Sequence, residues 1–142
     1  MKNPLKIIIV GASGKMGQAL IKEISNSPDL LLTGAVDQPS CSTLGMDAGA
    51  FFGIRTDVII NNDFESTIKK GDYLIDFTRP EASMKYLESC IKNNIKYVLG
   101  TTGFSDEEKE KIFLASKNIP ICFAPNMSVG VNLLVSLVEA AT

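Results

Sequence analysis

Apolar positions in this chain fall into short continuous runs, joined by stretches in which they recur every three or four residues. Leu5-Lys6-Ile7-Ile8-Ile9-Val10 is the first run, and its β-branched content predicts a strand. Further strands are predicted at 30–36, 57–60, 73–77, 95–99 and 120–123. Between them the periodicity is helical. Met16, Leu20 and Ile24 mark one apolar face, and Met84, Leu87 and Ile91 mark another on a helix expected from Pro80 to about Asn93. Pro80 suits a first turn, where its missing N–H would be unpaired in any case. A short helix is expected at 64–70. Ser105 and Glu108 have the spacing of a capping box, opening a helix that ends near Asn118. Strands alternating with helices at this spacing predict a doubly wound α/β fold, a parallel sheet with helices on both faces.

Two segments depart from that rhythm. From Gln38 to Gly53 the composition turns to Pro, Ser, Gly and other small residues, which reads as a long loop or mobile flap. From about Val131 the chain is expected to turn helical again. Val131, Leu134, Val135 and Val138 make one apolar stripe there, and Leu133, Leu137, Ala140 and Ala141 make a second. A helix apolar on two sides is packed on two sides. No glycine, proline or basic last turn closes it, so a further domain or another subunit is expected beyond it.

With 142 residues and 45% apolar content, the chain has the size of one domain, taken as 1–142, with ample material for a core. The net charge of −2, without a basic run, disfavours nucleic acid or an anionic membrane as partner. The longest apolar runs are about six residues, against the roughly 20 that span a bilayer, and no signal-peptide pattern is present. The three cysteines are odd in number and not at metal spacing, so no metal is expected. They read as buried or half-buried reduced thiols in a cytoplasmic protein.

The chemistry starts where the first strand ends. Val10 leads into Gly11-Ala12-Ser13-Gly14-Lys15-Met16-Gly17, with glycines at i, i+3 and i+6 ahead of an amphipathic helix. Strand, glycine turn and helix N-terminus together form a cradle for a pyrophosphate, because the first amides of the helix and its dipole favour an anion. The glycine spacing alone also occurs in loops that bind nothing. Asp37 adds to it, lying 20 residues past Gly17 at the end of the second predicted strand. In a Rossmann-like dinucleotide fold, a carboxylate there accepts hydrogen bonds from the adenosine ribose and repels a 2′-phosphate; its other reading is a turn starter before Pro39. A Walker phosphate loop is excluded, because Lys15 is followed by Met16 rather than Ser or Thr.

Three more strands end in small or polar clusters: Asp76-Phe77-Thr78-Arg79-Pro80-Glu81, Gly100-Thr101-Thr102-Gly103 and Ala124-Pro125-Asn126-Met127-Ser128-Val129-Gly130. Each alone reads equally as an ordinary connection, but the carboxyl edge of a parallel sheet is where ligands bind. The backbone N–H groups of Thr101 and Thr102 can hold a substrate carboxylate. No general acid is visible: the chain has no histidine, and none of its tyrosines is followed by Lys four residues on, which disfavours a short-chain dehydrogenase.

These motifs, together with Leu44-Gly45-Met46-Asp47-Ala48-Gly49 and Asn126-Met127-Ser128-Val129-Gly130-Val131-Asn132, occur in order along nearly the whole chain. In them the chain resembles the N-terminal, nucleotide-binding part of bacterial dihydrodipicolinate reductases. The resemblance implies reduction of the dicarboxylate 4-hydroxy-tetrahydrodipicolinate to tetrahydrodipicolinate with NAD(P)H, in lysine and diaminopimelate biosynthesis. It implies nucleotide contacts from Gly11, Ala12, Ser13, Gly14, Lys15, Met16, Asp37, Phe77, Thr78, Gly100, Thr101, Thr102, Ala124, Pro125, Asn126 and Met127, with Thr102 also meeting the substrate. It further implies a homotetramer for the complete protein, and a catalytic His-His and Lys in a C-terminal domain absent from this sequence. The fragment is therefore expected to be inactive alone. Gln38 stands where family members that use both cofactors often carry Arg, which tilts the expectation to NADH, with NADPH possible. The alternative from another class is a stand-alone NAD(H)-sensing module that regulates a partner.

Overall fold

The computed structural model describes residues 3–124, 126–129, 131, 132, 136 and 138. Strand β1 (Leu5–Val10) runs through the middle of the molecule, and its last four residues are all buried. It is flanked by β2 (Leu30–Val36) and β4 (Tyr73–Asp76), both parallel to it. Strand β3 (Ile60–Asn61) lies outside β2, while β5 (Lys96–Leu99) and β6 (Ile121–Phe123) extend the sheet beyond β4. The order is β3-β2-β1-β4-β5-β6, with every pairing parallel. The doubly wound parallel sheet expected from the alternating pattern is therefore present.

Because strand side chains alternate, β1 feeds two cores. Ile7 and Ile9 pack with Ile21 and Ile24 of helix α1 (Lys15–Asn26) on one face of the sheet. Ile8 and Val10 pack on the other face, in one cluster with Leu87 and Cys90 of α3 (Pro80–Asn93) and Ile112 and Ala115 of α4 (Asp106–Ala115). Each fully buried isoleucine of this kind stabilises by about 1.5–3 kcal/mol relative to exposure. A one-turn helix α2 (Phe64–Thr67) continues as a 3₁₀ turn, Ile68–Lys70, completing the expected short helix.

Ile24 and Leu87 are buried and Leu20 and Met84 pack against the core as expected, but one residue of each apolar face points outward. Met16 is 45% exposed, and α1 instead turns Gly17, Ile21 and Ile24 inward. Ile91 is likewise exposed, and α3 buries Ser83, Leu87 and Cys90. In both helices the inward stripe includes a small residue, Gly17 or Ser83, which adds nothing to an apolar count but permits close packing. A Cβ on Gly17 would come within 2.2 Å of the Gly11 carbonyl oxygen, so the helix sits directly on the glycine turn.

The segment read as a long loop or mobile flap is a loop, and it is anchored. The Asp47 carboxylate accepts hydrogen bonds from the N–H groups of Gly49 (2.7 Å), Thr56 (3.1 Å) and Asp57 (2.8 Å) and from the Thr56 hydroxyl (2.8 Å). Gly45 N–H donates to Ile60 O, and Ile60 N–H donates to Met46 O. Asp47 and Ile59 form an isolated antiparallel bridge, which is why the strand expected at 57–60 pairs with the sheet only at Ile60–Asn61. The capping box is present, with Ser105 Oγ accepting from Glu108 N–H and the Glu108 carboxylate accepting from Ser105 N–H. The expectations on Leu133, Leu134, Val135, Leu137, Ala140, Ala141 and Pro125 lie outside the described residues, and with them the two-sided stripe.

Candidate functional site

The chain builds β1, β2 and β3 to one side and then crosses to place β4 against the free edge of β1. The carboxyl ends of β1 and β4 therefore flank the point where strand order reverses, which is where open parallel sheets form a ligand crevice. A cavity of about 400 Å³ opens there, lined by Gly11, Ser13, Gly14, Asp37, Phe77 and Thr78 among others.

Its floor is the glycine turn. Gly11 has φ +67°, a left-handed conformation that costs glycine nothing, and Gly14 N–H donates back to Gly11 O. Gly14 then caps α1 without any side-chain hydrogen bond, and no acidic residue occupies the first turn. The amides and positive dipole end of α1 are left open beside the cavity. Helix α4 differs, being closed by its capping box and three acidic residues, Asp106, Glu107 and Glu108. Ala12 is buried beneath the turn, while Lys15 and Met16 are exposed on its outer side.

Asp37 follows β2 and is half-buried. Its Oδ2 accepts from Ser13 N–H (2.8 Å) and Ser13 Oγ–H (2.5 Å), and its Oδ1 accepts from Gln38 N–H (2.8 Å). The carboxylate is thereby pinned to the glycine turn, at the rim of the cavity. Behind it, Ser13 Oγ lies 3.2 Å from Cys41 Sγ, which lies 3.1 Å from Thr43 Oγ1. Hydrogen bonding with Ser13 and then with Thr43 holds the Cys41 thiol below its usual range, against the opposing effects of burial and the Asp37 charge. Cys90 is the opposite case, pushed up to about 12 by burial and then by the charge of Asp76. Cys122 is exposed, against the expectation of a buried or half-buried thiol, because β6 is the sheet's edge strand.

The far wall comes from the segment after β4. Thr78 turns its hydroxyl away from the cavity to donate to Asp76 Oδ1 (2.6 Å), and its methyl faces Gly11. Arg79, part of the polar cluster noted after the fourth strand, adds to this wall together with Ala82 and Tyr86, which no sequence pattern marks for the site. Burial, then the charges of Asp76 and Asp37, raise the Tyr86 hydroxyl above its ordinary range.

Gly100, Thr101 and Thr102 follow β5 at the same edge but do not line this cavity. Thr101 is buried and Thr102 exposed, and among the described residues no acceptor meets either backbone N–H. Ala124 is tied to Leu99 O through its N–H, Asn126 Oδ1 accepts from Ser128 N–H, and Met127 is exposed. Among the described residues no cluster of three or more His, Cys, Asp or Glu side chains could hold a metal ion, and no helix is long and apolar enough to cross a membrane.

Comparison with known proteins gives a consistent picture. Residues 5–127 match the family model described as dihydrodipicolinate reductase, N-terminus. The 4-hydroxy-tetrahydrodipicolinate reductase of Paraburkholderia phymatum is 46% identical over 137 residues, 96% of this chain and 52% of the relative. That of Burkholderia multivorans is 45% identical over the same length. The chain thus spans about half the length of the curated relatives it matches. Among solved structures, a dihydrodipicolinate reductase from Paenisporosarcina sp. TG-14 with dipicolinate bound superposes with a TM-score of 0.77. It is 26% identical, and the match covers 97% of this chain and 53% of that one. An amine dehydrogenase from Mycobacterium smegmatis, 15% identical with a TM-score of 0.66, covers 80% of this chain and 36% of its own, and shares the fold alone.

Proposed function

Because this chain belongs to the dihydrodipicolinate reductase family, we propose that it is the dinucleotide-holding half of an NAD(P)H-dependent 4-hydroxy-tetrahydrodipicolinate reductase. The observation that carries the reading is Asp37 fastened to the glycine turn by Ser13, at the mouth of a cavity whose floor is an open helix N-terminus. A dinucleotide fits these residues. Gly11 and Gly14 leave the turn bare of side chains, and uncapped amides face an anion. Asp37 keeps acceptor capacity for ribose hydroxyls.

When bound, the nicotinamide cofactor supplies the hydride. The chain's own residues hold and orient. Gly11 to Met16 surround the pyrophosphate, which takes the open N–H groups of Lys15 and Met16, Asp37 takes the ribose, and Phe77 and Thr78 form the wall beside them. The open N–H groups of Thr101 and Thr102 face the cyclic dicarboxylate substrate, with Ala124 to Met127 closing that end. The proton donor comes from the half of the family that this chain does not match, where the resemblance puts a His-His pair and a Lys. The complete protein is proposed to be a cytoplasmic homotetramer serving lysine and diaminopimelate biosynthesis. NADH is the preferred cofactor, because the Asp37 charge repels a 2′-phosphate and Gln38 offers no cation to offset it. Arg79, in the same cavity wall, keeps NADPH admissible. Calorimetric titration of the chain with each cofactor is expected to give binding of both, with NADH tighter. Absence of binding overturns the reading.

A further inference from the structure

Beneath the crevice lies a buried polar set that the cofactor reading does not use. Asp76, the last residue of β4, is wholly buried and accepts four hydrogen bonds. Oδ1 receives Thr78 N–H (2.8 Å), Thr78 Oγ1–H (2.6 Å) and Thr101 Oγ1–H (3.3 Å), and Oδ2 receives the Tyr97 hydroxyl (2.6 Å). Ser83 Oγ–H of α3 donates in turn to Thr101 Oγ1 (3.0 Å). Tyr97, Ser83 and Thr101 are each no more than 3% exposed. Among the described residues no Lys or Arg pairs with Asp76.

A carboxylate buried without a cation is costly, and apolar groups of similar volume often leave a fold as stable or more so. Stability therefore does not account for this one. What the set does is tie together the ends of β4 and β5, the strands on the side of the switch point away from Asp37. In a doubly wound sheet the two halves each hold one mononucleotide, so this side takes the nicotinamide. With its hydroxyl committed to Asp76, Thr101 leaves its N–H, and that of Thr102, without an acceptor among the described residues.

We propose that Asp76, Tyr97 and Ser83 are positioning residues that lock the 77–79 and 100–102 segments in register, so that the nicotinamide half of the site is formed before ligand arrives. The inference rests on the cofactor reading above. Tyr97 and Ser83 lie outside every segment assigned to ligand, which lets the effect be probed without touching a contact.

The test compares NADH with AMP, which occupies only the adenosine half, by calorimetry on the full chain at a temperature where circular dichroism shows each variant folded. Tyr97→Phe keeps the ring and removes one hydrogen bond to the carboxylate. It is expected to raise the NADH Kd about fivefold or more, by the scale of a hydrogen bond to a charged acceptor, and to leave the AMP Kd unchanged. Should that variant fail to fold, Ser83→Ala, which removes the hydroxyl that donates to Thr101 Oγ1, is expected to raise the NADH Kd and to leave the AMP Kd unchanged. Unchanged NADH affinity in the variant that folds, or equal loss of NADH and AMP, overturns the inference alone. A parent chain that binds neither ligand overturns the cofactor reading and the inference with it.

Discussion

Asp37 shows how much one side chain does here. Its position after β2 was legible from spacing, but its partners were not: Ser13 donates to it twice from a different loop. Replacing it therefore removes the proposed ribose acceptor and also the two hydrogen bonds that hold it to the glycine turn. Asp37→Ala is expected to weaken NADH by about 1.5–3 kcal/mol, the range for hydrogen bonds to a charged group, which is roughly 10- to 100-fold in Kd. NADPH should lose less, since removing the carboxylate also removes its repulsion of the 2′-phosphate. Parallel titrations check this, and equal losses would argue against the ribose role. Cys41 was legible only as one of three scattered thiols. Its place beside Ser13 comes from the fold of the 38–53 loop, and no local pattern announces it.

Among the elements, strands were read more faithfully than helix faces. A strand's alternation survives errors of a residue at its ends, whereas a helix stripe rotates when a small residue takes an inward position, as Gly17 and Ser83 do. The 38–53 segment is the long loop its composition indicates, but it is not a loose one. Asp47 gathers the N–H groups of Gly49, Thr56 and Asp57 and anchors it. Burial raises the Asp47 carboxyl, but those hydrogen bonds outweigh it and hold the group below its ordinary range. A carboxyl depressed in the folded state contributes stability that is present above its unfolded pKa and lost as pH falls through the folded one. Asp47→Asn is thus expected to lower Tm at neutral pH, by an amount corresponding to about 1–2 kcal/mol. The gap to the parent should close below about pH 4. Melting curves across pH decide it; a gap that is constant with pH would show that the charge is irrelevant there.

For the whole molecule, the sheet order places the two readings of the site on opposite sides of one switch point, with Asp37 on the β2 side and Asp76 on the β4 side. The assembled edge can bind and orient, yet the chain contains no histidine and spans about half of its relatives. The chain alone is expected to bind NADH and give no turnover of 4-hydroxy-tetrahydrodipicolinate, followed as loss of the reduced-nicotinamide absorbance. Turnover by the chain alone would overturn the assignment of the proton donor to the unmatched half.

The sequence by itself determined the alternating strands and helices, the glycine turn and the place of Asp37 at the end of β2, because these are local: period, capping chemistry and spacing act over short stretches of chain. Only the tertiary structure decided which of the polar groups meet. Asp76 reaches Thr101 across 25 residues and Ser13 reaches Asp37 across 24, through parallel pairing that brings distant strand ends to one edge. A single chain's local pattern carries no record of such pairings, since they are set by strand order and by the close packing that Gly17 and Ser83 allow.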